Sequence, residues 1–377
     1  MRIAVVHSEY RSSSPSGENA AVRRQMRLLE SAGHEVLEVV RRSDQTSRDL
    51  LFPLRAGLRT ISGVGPSPIP LLNSFDPDVI HVHNLFPNFG ANWMLHSVFP
   101  IVMTVHNFRA VCASAVLYRD GKICLDCPSG RPLSALRHGC YRDSKLATLP
   151  LALRNARGIR VNPEFRASQA VVVMNEVSRD LMVRFGANPE KIRVVPHSVE
   201  SPDHLAPAHV SQRWLVAGRL SPEKGVRELI SIWPRDVQLD VAGTGPELGA
   251  IRKLSHPNVR LLGHLESRVL KARLPEYSGL IFPSRSFESQ GLMAFEALSI
   301  GLPVVAFEDN PVAPLVVSEH AGASFRNRVS LASALEAVNS NRASMSHHAR
   351  MLYERDYTDA TWVSRIERVY AEVIARK

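Results

Sequence analysis

The chain has 377 residues, of which 45% are hydrophobic and 22% are charged, and its net charge is +10. This composition is typical of globular proteins and excludes disordered, collagen-like and coiled-coil classes, while the length suits two domains of roughly 100–200 residues. No apolar run approaches the roughly 20 residues of a transmembrane helix, and the first residues read as a buried strand, so we expect a soluble, cytoplasmic protein.

Short apolar runs alternate with helix-length segments through most of the chain. Such runs, when bounded by turn signals, predict parallel strands joined by crossover helices. The series pauses at Pro196–Pro207 and then resumes, which predicts an α/β protein with two doubly wound, Rossmann-like parallel sheets. The predicted strands are Ile3–Val6, Val36–Val40, Val79–Val82, Ile101–Val105, Ala170–Met174, Ile192–Val195, Trp214–Ala217, Val237–Val241, Val259–Leu262, Leu280–Phe282 and Pro303–Ala306.

These strands indicate two domains and a terminal helix. Residues 1–200 form an N-terminal domain with a cysteine-rich insertion at 107–142, residues 201–360 form a C-terminal domain, and residues 361–377 form a helix that packs back on the N-terminal domain. Residues 1–200 also carry +8 of the net charge. A basic half indicates an anionic partner, which could be nucleic acid, an anionic membrane or a phosphorylated substrate.

The first predicted strand leads into Ser16-Gly17-Glu18-Asn19 and a helix that ends near Ala32. This loop lacks the Gly-x-Gly-x-x-Gly pattern of dinucleotide-binding folds. A glycine at a helix start still leaves amide hydrogens and the positive end of the helix dipole to an anion. Gly17 is therefore a candidate anion-binding residue, and a flexible loop is the alternative interpretation.

Two nearby features offer weaker signals. Asp76-Pro77-Asp78 precedes a buried strand, and proline with aspartate is typical of a turn, so we favour a turn over a metal site. His81 and His83 alternate with apolar residues and share one face of that strand. His83 could face a ligand, or both histidines could be ordinary strand residues.

All four cysteines lie in one short span, as Cys112, Cys124, Cys127 and Cys140. Disulfides are uncommon in cytoplasmic proteins. A Cys-x-x-Cys pair flanked by two further cysteines suits a structural zinc ion held by four thiolates. We favour structural zinc, with four free thiols as the alternative.

The segment from Arg137 to Arg166 contains seven Lys and Arg residues and two acidic ones. Arg154, Arg157 and Arg160 recur at helical spacing close to several leucines. The pattern fits a patch that binds an anionic membrane surface, where each basic residue contributes about 1 kcal/mol, or else a solvated face.

The second half opens with a strand that runs into Gly218-Arg219-Leu220-Ser221-Pro222-Glu223-Lys224-Gly225. Arg219 and Lys224 thus lie between a strand end and a helix start, where this architecture binds phosphates. A planar guanidinium and a mobile ammonium together would neutralise a departing diphosphate. A second glycine turn, Gly243-Thr244-Gly245-Pro246-Glu247, follows the next strand and belongs to the same sheet edge.

The most specific pattern follows the predicted strand that ends at Phe282. Glu288 lies in the next loop, and Gly291 opens a helix that contains Glu296, eight residues beyond Glu288. The amides of Gly291 and Leu292 lie between the two carboxylates. The pattern predicts a phosphate at the helix start with a hydroxyl-binding carboxylate on either side. The alternative is a pair of surface glutamates near a helix start.

Together these motifs resemble the retaining glycosyltransferases of family 4, which have the GT-B architecture. The resemblance is carried by S-G-E-N, D-V-I-H-V-H-N, T-V-H-N, G-R-L-S-P-E-K-G, G-T-G-P-E and the E-x7-E segment, which together span nearly the whole chain. It implies two domains that face each other across a cleft. It also implies a nucleoside-diphosphate sugar held mainly by the C-terminal domain and an acceptor held by the N-terminal one.

The resemblance also implies roles for individual residues. These are Arg219 and Lys224 on the diphosphate, Glu288 on the donor sugar's hydroxyls, Glu296 on the ribose, His106 (in T-V-H-N) reaching the donor sugar, and Gly17 near the phosphates and the acceptor. Two departures put the identity of the donor sugar in question. Glu288-Ser289-Gln290-Gly291 stands where the family usually has Glu-Gly-Phe-Gly, and His197-Ser198 stands where it usually has Asn-Gly.

We therefore expect a retaining hexosyltransferase that moves a hexose from a nucleotide sugar to a saccharide or polyprenyl-linked saccharide in cell-surface glycan synthesis. Its catalytic residues would be His106, Glu288, Arg219 and Lys224. No catalytic cofactor and no nucleic-acid partner are expected, and the protein would lie peripherally at the inner membrane face. The alternatives are a sugar-nucleotide epimerase or a phosphorylase of the same fold, and then a basic nucleic-acid-binding protein without catalysis.

Overall fold

The computed structural model describes residues 1–9, 17–46, 51–200 and 212–376. The chain divides into two compact units. The first unit contains Met1–Leu117, Leu125–His197 and Trp362–Lys377, and the second contains Tyr118–Cys124 and Ser198–Thr361. Ser16 of the first motif and residues 201–207 of the predicted break lie outside the described residues.

A parallel sheet forms the centre of the first unit. The first eight strands of the chain are β1 (Arg2–Glu9), β2 (Glu35–Arg42), β3 (Val79–Asn84), β4 (Ile101–Thr104), β5 (Tyr118–Arg119), β6 (Lys122–Ile123), β7 (Ala170–Val173) and β8 (Ile192–Val194). Six of them pair in the order β2-β1-β3-β4-β7-β8, with every neighbouring pair parallel. The antiparallel hairpin β5–β6 belongs to the second unit.

The second unit has its own six-stranded parallel sheet. Its strands are β9 (Arg213–Ala217), β10 (Gln238–Ala242), β11 (Val259–Gly263), β12 (Leu280–Phe282), β13 (Val304–Phe307) and β14 (Gly322–Phe325). They pair in the order β11-β10-β9-β12-β13-β14. All the predicted strands are confirmed. The strand β14 and the hairpin have no predicted counterpart, because β14 contains one large apolar residue and the hairpin strands are two residues long.

Helices cover the sheets. They are α1 (Gly17–Ser31), α2 (Ser43–Thr46), α3 (Phe52–Ser62), α4 (Ile69–Phe75), α5 (Ser134–His138), α6 (Lys145–Ala156), α7 (Pro163–Ala167), α8 (Glu176–Arg184), α9 (Val226–Ile232), α10 (Leu248–Leu254), α11 (Ser267–Arg273), α12 (Leu292–Ser299), α13 (Val312–Ser318), α14 (Arg328–Asp356) and α15 (Asp359–Ala375). Among the described residues, none of these helices is both long enough and apolar enough to span a bilayer.

Each sheet is buried on both faces. Successive side chains of a strand point to opposite faces, so Ile3 and Val5 join one apolar cluster while Ala4 and Val6 join another. In the second unit, alternate residues of β9, β12 and β13 divide in the same way between two clusters. Burial on both faces explains why these strands read as continuous apolar runs in the sequence.

The terminal helix α15 belongs to the first unit. Trp362, Ile366, Val369 and Tyr370 recur at helical spacing and are buried in the cluster that contains Ile3 and Val5. The polar side of the helix adds an ion pair between Arg193 and Glu372. The chain thus returns to its first unit after completing the second.

Replacing Ile366 by alanine tests this packing. Ile366 is fully buried, so we expect a loss of about 2–5 kcal/mol in the free energy of unfolding from the lost burial and the cavity left behind. Urea denaturation measures this loss. Arg368→Ala, on the exposed side of the same helix, should change stability by less than about 0.5 kcal/mol. Equal effects of the two substitutions would show that α15 does not pack in this way.

Candidate functional site

The carboxyl ends of parallel strands meet at one edge of a sheet, and ligands bind in the loops that follow them. In the second unit, the loops after β9 and β10 are the two predicted glycine turns. The amide of Gly218 donates to Ala242 O at 3.0 Å, and a Cβ on Gly243 would lie 1.8 Å from Gly218 O. Only glycine at position 243 allows the two loops to touch.

The structure brings Lys224 and Glu288 together although they are 64 residues apart. Lys224 ends a short 3₁₀ turn after β9, and Glu288 lies in the loop between β12 and α12. Lys224 Nζ lies 2.5 Å from Glu288 Oε1, and Ser284 Oγ donates to the same oxygen at 2.5 Å. The buried Asn310 side chain fixes this loop by donating to the Ser284 carbonyl at 3.2 Å.

Glu288 is ionised in this arrangement. Burial raises the pKa of Glu288, but the positive charge of Lys224 and the hydrogen bonds from Lys224 and Ser284 outweigh it, so the pKa lies below its usual value. The Lys224 side chain is 32% exposed, and an ammonium carries three donors. The carboxylate therefore holds the lysine in place while leaving donors for an anionic ligand.

Glu223 connects Arg219 to this pair. Its carboxylate accepts a hydrogen bond from Arg219 at 3.3 Å, and its carbonyl accepts one from Ser284 at 3.3 Å. The Arg219 side chain is 70% exposed, so its guanidinium is accessible to a ligand. Arg219 and Lys224 thus lie on one loop with both charges accessible, which suits a diphosphate.

The other predicted carboxylate has a lysine partner of its own. Glu296 lies in α12, and Lys271 Nζ lies 3.3 Å from Glu296 Oε1. The helix begins at Leu292 after Gly291, which has a left-handed backbone with φ of 78°. The amides of its first turn point out of the helix start and suit an anion. Lys271, Ser284 and Glu223 were not identified from the sequence, although Ser284 and Glu223 each lie four residues from their partner.

The first unit carries a polar cluster at the ends of β3 and β4. Glu18, in the first turn of α1, accepts hydrogen bonds from Asn84 Nδ2 at 2.8 Å and from Asn107 Nδ2 at 3.2 Å. Gly17, the predicted anion-binding residue, is exposed at the start of α1. Glu18 and the two asparagines had no predicted role, although D-V-I-H-V-H-N and T-V-H-N both end in these asparagines.

His106 lies between two other imidazoles. His106 Nε2 lies 3.0 Å from His83 Nδ1, and His106 Nδ1 lies 3.2 Å from His197 Nε2, with the two rings stacked. Gln25 Nε2 lies 2.8 Å from His197 Nδ1. We call Gln25, His197, His106 and His83 the histidine chain. Each ring nitrogen of His106 has a partner in the histidine chain. A ligand can therefore bind His106 only by replacing His83 or His197 as a partner.

Burial keeps the imidazoles of the histidine chain neutral. It lowers the pKa of His106 to about 3 and the pKa values of His83 and His197 well below the usual value. A neutral imidazole has one donor and one acceptor. With Gln25 as the first donor, His197 and His106 each accept at Nδ1 and donate at Nε2, which assigns one tautomer to both rings.

The cysteines of the predicted zinc site have different surroundings. Within residues 1–9, 17–46, 51–200 and 212–376, no group of three or more His, Cys, Asp or Glu side chains is arranged to hold a metal ion. Cys127 and Cys140 pack against the small apolar cluster around Leu151. Cys112 Sγ instead lies 3.2 Å from the Ser114 hydroxyl. A structural zinc ion held by Cys112, Cys124, Cys127 and Cys140 stays a prediction from their spacing.

The predicted turn at Asp76-Pro77-Asp78 is confirmed. Asp76 caps the end of α4 with a left-handed backbone, and Asp78 Oδ2 accepts from the amide of Arg2 at 2.7 Å. His81 and His83 share one face of β3, as predicted, with ring centroids 4.0 Å apart.

Two family models match the chain. Residues 15–201 match the model described as Glycosyltransferase Family 4. Residues 211–341 match the model described as Glycosyl transferases group 1. Between them the matches include the two glycine turns, the polar cluster of the first unit and the segment that holds Glu288 and Glu296.

Known proteins give a consistent result. The glycogen synthase of Mycobacterium tuberculosis is 29% identical over 161 residues, a match that spans 39% of this chain and 39% of the synthase. The sucrose-phosphate synthase of Thermosynechococcus elongatus is 16% identical, with a TM-score of 0.71 and 100% of both chains covered. Anabaena HepE, solved in complex with UDP-glucose, is 14% identical, with a TM-score of 0.62 and 100% of both chains covered. At such identities the solved structures show the fold, which is the α/β GT-B fold.

Proposed function

Because this chain belongs to the family 4 glycosyltransferases, we propose that it transfers a hexose, with retention of configuration, from a nucleoside-diphosphate sugar to a hydroxyl group of a saccharide or lipid-linked saccharide. The observation that carries this proposal is the ion pair between Lys224 and Glu288, with Arg219 on the same loop as the lysine. Arg219 and Lys224 are two accessible cations for a diphosphate, and Glu288 is an oriented carboxylate for sugar hydroxyls.

The second unit binds the donor in this proposal. Lys224 and Arg219 stabilise the negative charge that develops on the diphosphate as the bond to the anomeric carbon breaks. The amides of Gly291 and Leu292 add donors at the start of α12. Glu288 accepts hydrogen bonds from the sugar, and Glu296 accepts one from the ribose. In HepE a uridine nucleotide sugar is bound, so UDP-glucose is the first donor to test here.

The first unit binds the acceptor in this proposal. Glu18 and its two asparagine partners supply acceptors and donors for sugar hydroxyls. The bond from the anomeric carbon to the acceptor oxygen forms on the face from which the diphosphate leaves, and the acceptor proton passes to a diphosphate oxygen. His106 would contact the donor sugar by giving up its hydrogen bond to His83 or His197 for one to the sugar. The product would be a cell-surface glycan, built by an enzyme that lies peripherally at a membrane.

A stereochemical assay tests the reaction. The protein is incubated with α-linked UDP-, GDP-, ADP- and dTDP-hexoses and a panel of saccharide acceptors, and nucleotide release and the anomeric configuration of the product are measured. We expect one donor to give an α-linked product only when an acceptor is present. Conversion of the nucleotide sugar without acceptor would indicate an epimerase, a requirement for inorganic phosphate would indicate a phosphorylase, and a β-linked product would refute retention.

A further inference from the structure

The helix α3 exposes an apolar face. No side chain of α3 is fully buried, and Leu54 and Leu58 are 62% and 58% exposed. Residues four apart lie on the same side of a helix, so these leucines form one row. Amphipathic helices of globular proteins normally turn such a row towards the core. An exposed row of leucines therefore indicates an interaction surface.

The helix α6 exposes a second row. Leu146 is 84% exposed, and Leu149 and Leu153 follow at intervals of three and four residues with more than a third of their surface exposed. The opposite side of the same helix is buried through Leu151 and Ala152. The fold thus uses one side of α6 for its core and leaves the other apolar side to solvent.

The two helices pack on each other, so their exposed leucines belong to one region of the first unit. A Cβ on Gly57 of α3 would lie 3.1 Å from Pro150 Cγ of α6. The gap beside this contact is a cavity of about 730 Å³ whose lining includes Phe52, Ala56 and Leu151. We call Leu54, Leu58, Leu146, Leu149 and Leu153 the leucine face.

Basic side chains accompany the leucine face. Residues 51–62 and 141–157 contain six basic residues and one acidic residue. Burial, and then the charges of Arg41 and Arg55, lower the pKa of Arg59, which shows that positive charges are crowded beside α3. Arg55, Arg142 and Lys145 are exposed. The surroundings therefore favour an anionic partner.

The three arginines that recur at helical spacing in the predicted basic segment make contacts within the protein. Arg154 pairs with the half-buried Glu164, Arg157 donates to Ile61 O at 2.7 Å, and Arg160 donates to Gly186 O at 3.3 Å. These three arginines therefore also hold loops of the first unit. The exposed residues Arg142 and Lys145 belong to the same predicted segment.

We propose that the leucine face docks on an anionic lipid bilayer. Leucines would enter the boundary between headgroups and acyl chains, while Arg55, Arg142 and Lys145 contact lipid phosphates. Exposed leucines next to arginine and lysine are the pattern of helices that lie in a membrane interface. A nucleic acid would use the basic residues but not the leucines. The reason for such docking rests on the proposed function, because a lipid-linked acceptor lies at a bilayer.

Vesicle flotation of the full chain tests this surface. We expect the wild type to float with vesicles of phosphatidylcholine and phosphatidylglycerol and not with phosphatidylcholine alone. Exchanging Leu54, Leu58 and Leu146 together for serine should lower the bound fraction at least tenfold, since these side chains lose their contact with the acyl region. A double variant with Arg55→Glu and Arg142→Glu should also bind at least tenfold more weakly. Each basic residue near the membrane contributes about 1 kcal/mol, which is about fivefold in binding.

Matched controls lie in the second unit. Val329→Ser, at a residue that is 76% exposed, and Arg252→Glu on α10 should leave flotation unchanged. Nucleotide binding by the leucine variant, measured by thermal shift, should equal that of the wild type, so a failure of docking is distinguishable from a failure of the donor site. Flotation that is independent of the leucines, or binding to DNA with no binding to vesicles, would overturn the proposal.

Discussion

Replacing Lys224 by alanine is expected to lower kcat/KM for glycosyl transfer by about 100- to 1,000-fold. Lys224 Nζ lies 2.5 Å from Glu288 Oε1 and remains partly exposed, so it is placed to meet the charge of a departing diphosphate. Removing it also leaves the largely buried Glu288 carboxylate without its counter-charge, which misplaces the group that would bind the sugar. Initial rates at several donor concentrations give kcat and KM separately.

The reciprocal substitution and a control complete this test. Glu288→Ala should also reduce transfer by at least 100-fold, because Lys224 loses the partner that orients it. Lys253→Ala removes an exposed lysine from α10 of the same unit and should leave the rate within twofold of the wild type. Near-normal rates for either site variant, with melting temperatures that show an intact fold, would refute the assignment.

Acidification is expected to destabilise the first unit. The loss of stability with falling pH should be steeper than protonation of carboxylates alone would cause. Burial lowers the pKa of both His81 and His106 to about 3, whereas an unfolded histidine titrates near 6.5. The unfolded chain therefore binds more protons. The stabilisation is complete above about pH 6.5 and is lost progressively as the pH falls towards 3. At pH 5 each such histidine lowers the free energy of unfolding by roughly 2 kcal/mol relative to its value above pH 6.5.

Urea denaturation at pH 7, 6 and 5 measures this loss. His83 and His197 also have strongly lowered pKa values, and the phenol of Tyr370 that faces His81 stays neutral because burial raises its pKa. Replacing the exposed His347 by glutamine should leave the pH dependence unchanged. Calorimetry in buffers of different ionisation enthalpy should find protons taken up on unfolding at pH 5.5. No uptake would mean that these histidines are already protonated in the folded protein.

Much of the fold follows from the sequence, because strands buried on both faces are continuous apolar runs. β1, β3, β9 and β12 are recognisable for that reason. The strand β14 is not, because its sequence Gly-Ala-Ser-Phe has little apolar surface and pairs as an edge strand next to β13. The helix α14, which bends at Asn341, likewise lacks a simple periodic pattern.

The site was less predictable than the fold, because its contacts join distant residues. Motif spacing identified Lys224 and Glu288 separately, but not that they form an ion pair across 64 residues. His197 stood out only as a departure from the family pattern, and its contact with His106 depends on the ends of β4 and β8 lying on the same sheet. The zinc site inferred from the cysteine spacing stays a prediction.

In the proposed function, the second unit binds a nucleoside diphosphate through Arg219 and Lys224. Calorimetric titration of UDP, GDP and ADP into the wild type and into Lys224→Ala tests it most directly. We predict that one nucleotide binds the wild type with a dissociation constant on the order of 1–100 μM and binds the variant at least tenfold more weakly. Binding of none of the three, or equal affinity for the wild type and the variant, would contradict the assignment of this site.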